Sequence, residues 1–152
     1  MDNPDRVLLA RFAAGDGTIM ALDSNPLAYA LGGRITALDV EAGTVELRFR
    51  PGPTFLQGAG MIQGGAIAAM LDFAMAFTVL AGLPAEQGAT TVNLNVSLQR
   101  PCLAGEHRAR GTVERRGRSL AFAHAELAPV DGDDVGTPVA TATSTMAIVA
   151  LG

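Results

Sequence analysis

Gln63-Gly64-Gly65-Ala66-Ile67-Ala68-Ala69-Met70-Leu71-Asp72-Phe73-Ala74-Met75-Ala76-Phe77-Thr78-Val79-Leu80-Ala81-Gly82 is the stretch on which the fold turns. Its spacing predicts a helix over residues 66–81, stopped by Gly82 and Pro84. No face of that helix is polar, and Asp72 is its only ionisable group. A helix that is apolar all round is expected to be buried on all sides. A central aspartate costs a membrane span about 2.5–3.5 kcal/mol on insertion scales. The run also lies in mid-chain without basic flanks, so it reads as the core helix of a soluble domain.

Strand patterns surround this helix. Residues 44–50 alternate, with Val45, Leu47 and Phe49 on one side and Glu46, Arg48 and Arg50 on the other, as in a half-buried strand. Residues 34–40 set Ile35, Ala37 and Asp39 against Thr36, Leu38 and Val40, and the turn Glu41-Ala42-Gly43 joins the two runs into a hairpin. Four more strand signals follow the helix, at 91–99, 108–115, 120–127 and 139–149. The first of them sets Thr91, Asn93, Asn95 and Ser97 against Val92, Leu94, Val96 and Leu98. Residues 116–118 read as a turn, and the acidic, glycine-rich stretch 129–138 as an exposed hairpin loop. Before all of these, residues 5–14 predict a short amphipathic helix, and 15–33 a loop with one helical turn near 26–30. The expected fold is α+β: an antiparallel sheet of about five to six strands wrapped around one long buried central helix. Residues 1–24 are expected to form an N-terminal helix and loop and residues 25–152 the main domain, one domain overall.

Composition narrows the function. The 152 residues are 49% hydrophobic, enough for one real core and too apolar for a disordered chain. Charged residues are only 17%, which is sparse cover for a monomer and points to surface buried between subunits, in a dimer or a tetramer. The net charge of −4, from 11 basic and 15 acidic residues, gives no bulk footprint for nucleic acid. The local cluster Arg108, Arg110, Arg115, Arg116 and Arg118 is the exception. The opening MDNPDRVLLARF lacks the apolar core of a signal peptide, and the single cysteine, Cys102, allows no intrachain disulfide. Both fit a reducing cytoplasm. His107 and His124 have no cysteine or carboxylate at metal-ligand spacing, so no metal site is expected. Cys102, without a histidine beside it in sequence, is expected to be inert.

The chemistry concentrates at the start of the apolar helix. Gly64 and Gly65 leave backbone N–H groups uncovered where a helix lacks internal acceptors and its dipole is positive. A carbonyl oxygen placed there is polarised as in an oxyanion hole. About two turns further on, Asp72 is a carboxylate that must be paired or must face a cavity, because an unpaired buried charge costs several kcal/mol. A desolvated carboxylate in a cleft is a candidate base or nucleophile. The plainer readings are a structural aspartate that caps backbone or pairs with an arginine, and glycines that serve close packing.

Gln57, Gly60, Gln63-Gly64-Gly65 and Asp72 together resemble the pattern N-x-x-G-x-x-H-G-G followed by a helical acid. That pattern belongs to the hotdog-fold thioesterases, in particular the phenylacetate-pathway (PaaI-like) and 4-hydroxybenzoyl-CoA thioesterase group. Residues 91–101, the stretch Gly117-Arg118-Ser119-Leu120-Ala121 and Ala140-Thr141-Ala142-Thr143 extend the resemblance over roughly residues 25–150. It implies an acyl-CoA thioesterase without cofactor or metal. In that role the Gly64 N–H polarises the thioester carbonyl, and Asp72 reaches it across a dimer interface as base or nucleophile. Gln57 lies near the carbonyl or water, and Thr91 orients the water. Gln63 and Gly65 would contact substrate, and Arg100, Arg116 and Arg118 suit the phosphates of coenzyme A. The family's histidine before Gly-Gly is Gln63 here, which hydrogen-bonds but does not titrate. A non-catalytic acyl-CoA-binding or sensing protein is therefore the alternative. A hotdog hydratase fits less well, since neither histidine is placed for its Asp–His pair.

Overall fold

The computed structural model describes residues 3–151. Met1, Asp2 and Gly152, which close the expected segments 1–24 and 25–152, lie outside the described residues. Helix α1 (Pro4–Ala14) begins at Asn3, whose side chain accepts from the Asp5 N–H, with proline at the first turn where its missing N–H costs nothing. Asn25 caps the short α2 (Pro26–Ala30) in the same way. The strands are β1 (Met20–Ala21), β2 (Arg34–Asp39), β3 (Thr44–Phe49), β4 (Gln87–Leu98), β5 (His107–Arg116), β6 (Leu120–Asp131), β7 (Asp134–Val135) and β8 (Ala140–Ala150). Between β3 and β4 runs the central helix α3 (Gly64–Ala81).

All neighbours pair antiparallel, in the order β1-β2-β3-β5-β6-β8-β4, with β7 folded onto β6. This sheet around one helix is the hotdog architecture. Its eight strands exceed the expected five to six because β1 and β7 have two residues each, too few to carry a period in sequence. The stretch expected as a loop, 129–138, accordingly includes the end of β6 and all of β7.

What lets the helix lie on the sheet is the absence of side chains beneath it. Ala109, Gly111, Ala121, Ala123, Ala125 and Ala142 are buried on β5, β6 and β8. A Cβ on Gly111 would overlap the carbonyl oxygen of Ala74 and stand 2.6 Å from its carbon. Backbone therefore packs on backbone there, as only glycine permits. The larger side chains Phe49, Met70, Leu71, Met75, Phe77 and Met146 are fully buried and make up the bulk of the core. Leu8, Leu9 and Phe12 of α1 join the same core. The buried hydroxyl of Thr78 donates to the carbonyl oxygen of Gly43 at 2.9 Å, tying α3 to the β2–β3 turn.

Two expectations need correction. First, α3 is not covered on all sides: Gly65, Ala68, Ala69, Asp72, Phe73 and Ala76 form a stripe that stays partly open. By composition and length the helix could cross a bilayer, yet half of its residues are buried inside this chain, as in a core helix. Second, β2 does not alternate as read. Its register shifts between Ile35 and Ala37, so Ile35 is buried and Leu38, rather than Ala37, packs on the core. The alternation read in β3 holds, with Val45, Leu47 and Phe49 all buried.

Gly111→Val is expected to destabilise the fold by at least about 1–3 kcal/mol, the usual range for overpacking a filled core. A urea unfolding midpoint equal to that of the wild type would contradict the backbone-on-backbone contact.

Candidate functional site

Asp72 lies on the open stripe of α3, beside β4. The Thr91 hydroxyl donates to its Oδ1 at 2.9 Å, and Oδ2 accepts no hydrogen bond from the described residues. Burial pushes the carboxyl above its ordinary value of 3.8, and the Thr91 hydrogen bond opposes this in smaller measure. Thr91 reaches Asp72 because β4 carries a register shift between Thr91 and Asn93. Plain alternation had placed Thr91 on the polar face, opposite Val92, Leu94, Val96 and Leu98. The shift puts Thr91 on the helix side and leaves Val92 63% exposed.

At the start of α3, Gln63 is the N-cap residue and its side chain makes no capping bond. The first N–H to find an intrachain acceptor is that of Ile67, which donates to the Gln63 carbonyl oxygen at 3.0 Å. The N–H groups of Gly64 and Gly65 have no acceptor among the described residues. The two glycines differ in their surroundings. A Cβ on Gly64 would press on Leu98 of β4 at 3.1 Å, whereas one on Gly65 would meet nothing within 4 Å. Close packing thus accounts for Gly64 but not for Gly65.

A two-stranded loop delivers this terminus. The Gln63 N–H donates to the Phe55 carbonyl oxygen and the Gln57 N–H to that of Met61, each at 2.8 Å, with Leu56 opposite Ile62. Gln57 therefore sits on the opposite strand of the same short ladder from Gln63, displaced from it by two steps or about 7 Å along the strands. Gln63 itself is exposed.

The arginines divide. Arg100 follows Leu98 at the end of β4, near Gly64, and its guanidinium donates to the Pro138 carbonyl oxygen at 2.7 Å. Arg116 is at the opposite end of α3, hydrogen-bonded to the Gly82 carbonyl oxygen. At 1.5 Å per residue that is about 27 Å from Gly64 within one chain. Arg6 lies just past this end, donating to the carbonyl oxygens of Leu83 at 2.9 Å and Gln87 at 2.5 Å where the chain passes into β4. Arg118 is exposed on the adjoining β5–β6 turn.

The histidines behave differently from one another. His124 is exposed on the outer face of the sheet, 3.0 Å from Glu114. His107 is buried, and its Nε2 lies 3.3 Å from the Cys102 Sγ. Cys102 thus does have a histidine partner, contrary to the sequence reading. The positive φ of +139° at Gly105 turns the chain back so that residues five apart meet. Burial nonetheless holds the thiol up at about 11, so it stays protonated. Among the described residues no three His, Cys, Asp or Glu side chains converge as a metal site would require.

Comparison with known proteins agrees with this fold. The sequence profile of the thioesterase superfamily matches residues 59–135, which span the loop, α3 and most of the strands after it. A phenylacetic acid degradation-related protein of Ralstonia eutropha JMP134, assigned as a thioesterase, is 37% identical over 91% of this chain and 98% of its own, with a TM-score of 0.75. A thioesterase family protein from Silicibacter pomeroyi has the same fold, with a TM-score of 0.79 and 23% identity over 98% of each chain. A thioesterase from Haemophilus influenzae has it too, with a TM-score of 0.76 and 20% identity over 86% of this chain and 87% of its own. No curated protein matches the sequence. The fold is that of the hotdog proteins, and the chain belongs to the thioesterase superfamily, with a PaaI-like thioesterase among the structures it resembles.

A raised carboxyl pKa in the folded state means that ionised Asp72 opposes folding. Stability is fully present below the unfolded value and declines as pH rises through the folded one. Asp72→Asn is therefore expected to unfold at a higher temperature than wild type at pH 7. The gain should shrink as pH falls toward 3.8. A variant less stable than wild type at pH 7 would mean that Asp72 serves the fold.

Proposed function

We propose that this protein hydrolyses the thioester of a small or aromatic acyl-CoA at a site shared by two subunits, with Gly64 as oxyanion donor and Asp72 as base or nucleophile. The observation that carries this reading is the spacing of the two groups on one rigid helix. Eight residues separate Gly64 from Asp72, about 12 Å along the axis. Reacting atoms must approach to about 3–3.5 Å, so one carbonyl cannot use both groups of the same chain. A second copy resolves the conflict. Strand β4 is an edge of twelve residues with Val92 and Leu98 exposed at 63% and 55%, and its outer backbone is open to pairing. Leu98 lies by Gly64 and Thr91 by Asp72. Antiparallel pairing of two β4 strands sets the Leu98 end of one beside the Thr91 end of the other, and Gly64 of one chain toward the partner's Asp72.

In this arrangement the thioester oxygen accepts from the Gly64 N–H at the positive end of α3. Asp72 takes a proton from water held by Thr91, and the hydroxide adds to the carbonyl carbon. The tetrahedral intermediate then collapses, expelling the thiolate of coenzyme A, which leaves as the thiol with that proton. As a nucleophile, Asp72 would instead attack the carbon and expel the thiolate, giving an anhydride that water opens. Burial raises the basicity of the carboxylate, which serves either role. Gln57, Gln63 and Gly65 line the approach. The exposed Arg100 and Arg118, with Arg116, are the guanidinium groups available to the phosphates of coenzyme A.

Free-thiol release across a panel of acyl-CoAs tests this. Turnover is expected with short or aromatic acyl groups, and Asp72→Asn should lower it by about 10²–10⁴-fold. For the wild type, kcat/KM should fall as pH drops below the raised pKa of Asp72. Thiol release at wild-type rates by the Asp72→Asn protein would remove Asp72 from the chemistry. Binding without release from any thioester would favour the acyl-CoA-binding reading.

A further inference from the structure

Residues 57–65, which present the bare amides of Gly64 and Gly65, are held on one side by their own ladder to 55–57 and on the other by residues 102–103. The Ile62 N–H donates to the Cys102 carbonyl oxygen at 2.8 Å, and Met61 bridges to Leu103. The segment 101–105 that provides this second support lies outside the sheet. The chain enters this segment at Arg100, whose N–H donates to the Val139 carbonyl oxygen at 3.1 Å, and leaves it for His107, the first residue of β5, paired to Phe49 of β3 and Pro129 of β6. Both Cys102 and His107 are almost wholly buried, at 3% and 2% exposure.

The donor and acceptor pattern is determined by the backbone. The Nδ1 of His107 lies 3.3 Å from the Gly105 carbonyl oxygen, which can only accept, so Nδ1 carries the proton. Nε2 is then a lone pair, and the thiol 3.3 Å away donates S–H to it. Desolvation works to the same end, since burial favours the neutral imidazole and the protonated thiol. The outcome is a continuous path: β5, the His107 ring, Cys102, the Ile62 amide, Gln63, and the first turn of α3.

We propose that Cys102 and His107 are positioning residues of the thioester site, which hold the 57–65 loop so that the Gly64 N–H stands where the oxyanion develops. This rests on the catalytic reading of Gly64 above. Neither side chain touches substrate, and the thiol is not a nucleophile. An oxyanion donor set to the wrong position loses transition-state stabilisation while ground-state binding is spared, so the loss falls on kcat.

The test compares Cys102→Ala, Cys102→Ser and His107→Gln in the full-length protein. Cys102→Ala removes the donor with little change of volume, and is expected to lower kcat by about tenfold or more with KM within about twofold of wild type. It should also speed amide hydrogen exchange at Ile62 while the β5 and β6 amides keep their protection. Cys102→Ser restores an O–H donor to Nε2 and should recover most of the lost kcat and the slow exchange. His107→Gln keeps a side-chain amide at that site and should fall between the two. Wild-type kcat and wild-type exchange at Ile62 in Cys102→Ala would overturn the proposal. So would a loss that serine fails to recover, or one accompanied by equal loss of protection across the sheet. If the wild type released no thiol from any thioester, the catalytic reading would fail, and exchange at Ile62 would still decide whether the pair holds the loop.

Discussion

The contact between Ala74 of α3 and Gly111 of β5 fixes the position of the whole central helix. A helix normally rides on a cushion of side chains that separates it from the sheet below. Here the floor is alanine and glycine, and the Ala74 carbonyl lies where a Gly111 side chain would be. Rolling or sliding the helix would drive its backbone into that floor or open a gap beneath it, and a close-packed interior resists both. One face is thereby committed to the sheet, and the opposite stripe, with Gly65, Ala68, Ala69, Asp72 and Ala76, is left toward β4 and the open side. The position of Asp72 is thus a consequence of packing on the far side of its own helix.

The two ends of α3 are treated unequally. The Arg116 guanidinium binds the carbonyl oxygen of Gly82 at the C-terminal end, where the helix dipole is negative, and Arg6 binds that of Leu83 just beyond. The N-terminal end has no side-chain cap at all, and Gly64 and Gly65 leave its amides bare. A helix whose only need was stability would carry a serine, threonine or aspartate there, worth about 0.5–2 kcal/mol. Leaving it uncapped preserves donors for an external oxygen. The ionised Asp72 has the same character, since burial opposes its charge and the hydroxyl of Thr91 only partly relieves it. Both features cost stability and suit chemistry on a carbonyl.

Much of this was legible in the sequence where a period or a motif carried it. The apolar run 66–81 gave the helix, and β3 showed its inward face through Val45, Leu47 and Phe49. The glycines before the helix, with Asp72 beyond them, marked the site. What escaped was set by single irregularities. The bulge after Thr91 turns that hydroxyl onto Asp72, and no alternating pattern announces a bulge. The left-handed turn at Gly105 folds Cys102 back onto His107, a meeting that sequence spacing alone does not reveal. The alanine floor under α3 was invisible for another reason: small residues become a signal only once it is known what lies above them. The open stripe contradicted the expectation of a wholly buried helix because the sheet of this chain covers only one side of α3.

The central claim is that Gly64 of one chain and Asp72 of another form one site, and complementation between two dead variants tests it most directly. Asp72→Asn removes the carboxylate. Gly64→Pro removes one amide at the first helical position, where proline is well accepted; its Cβ presses only on the movable end of the Leu98 side chain, and Gln63 already has the extended ψ of 139° that a following proline requires. Each protein alone should assemble and fail to hydrolyse thioesters. Co-expressed, they should regain thiol release in the mixed oligomers, because the Asp72→Asn chain still offers its Gly64 amide to the intact carboxylate of its partner. Mixed oligomers seen by native mass spectrometry but devoid of activity would contradict the shared site.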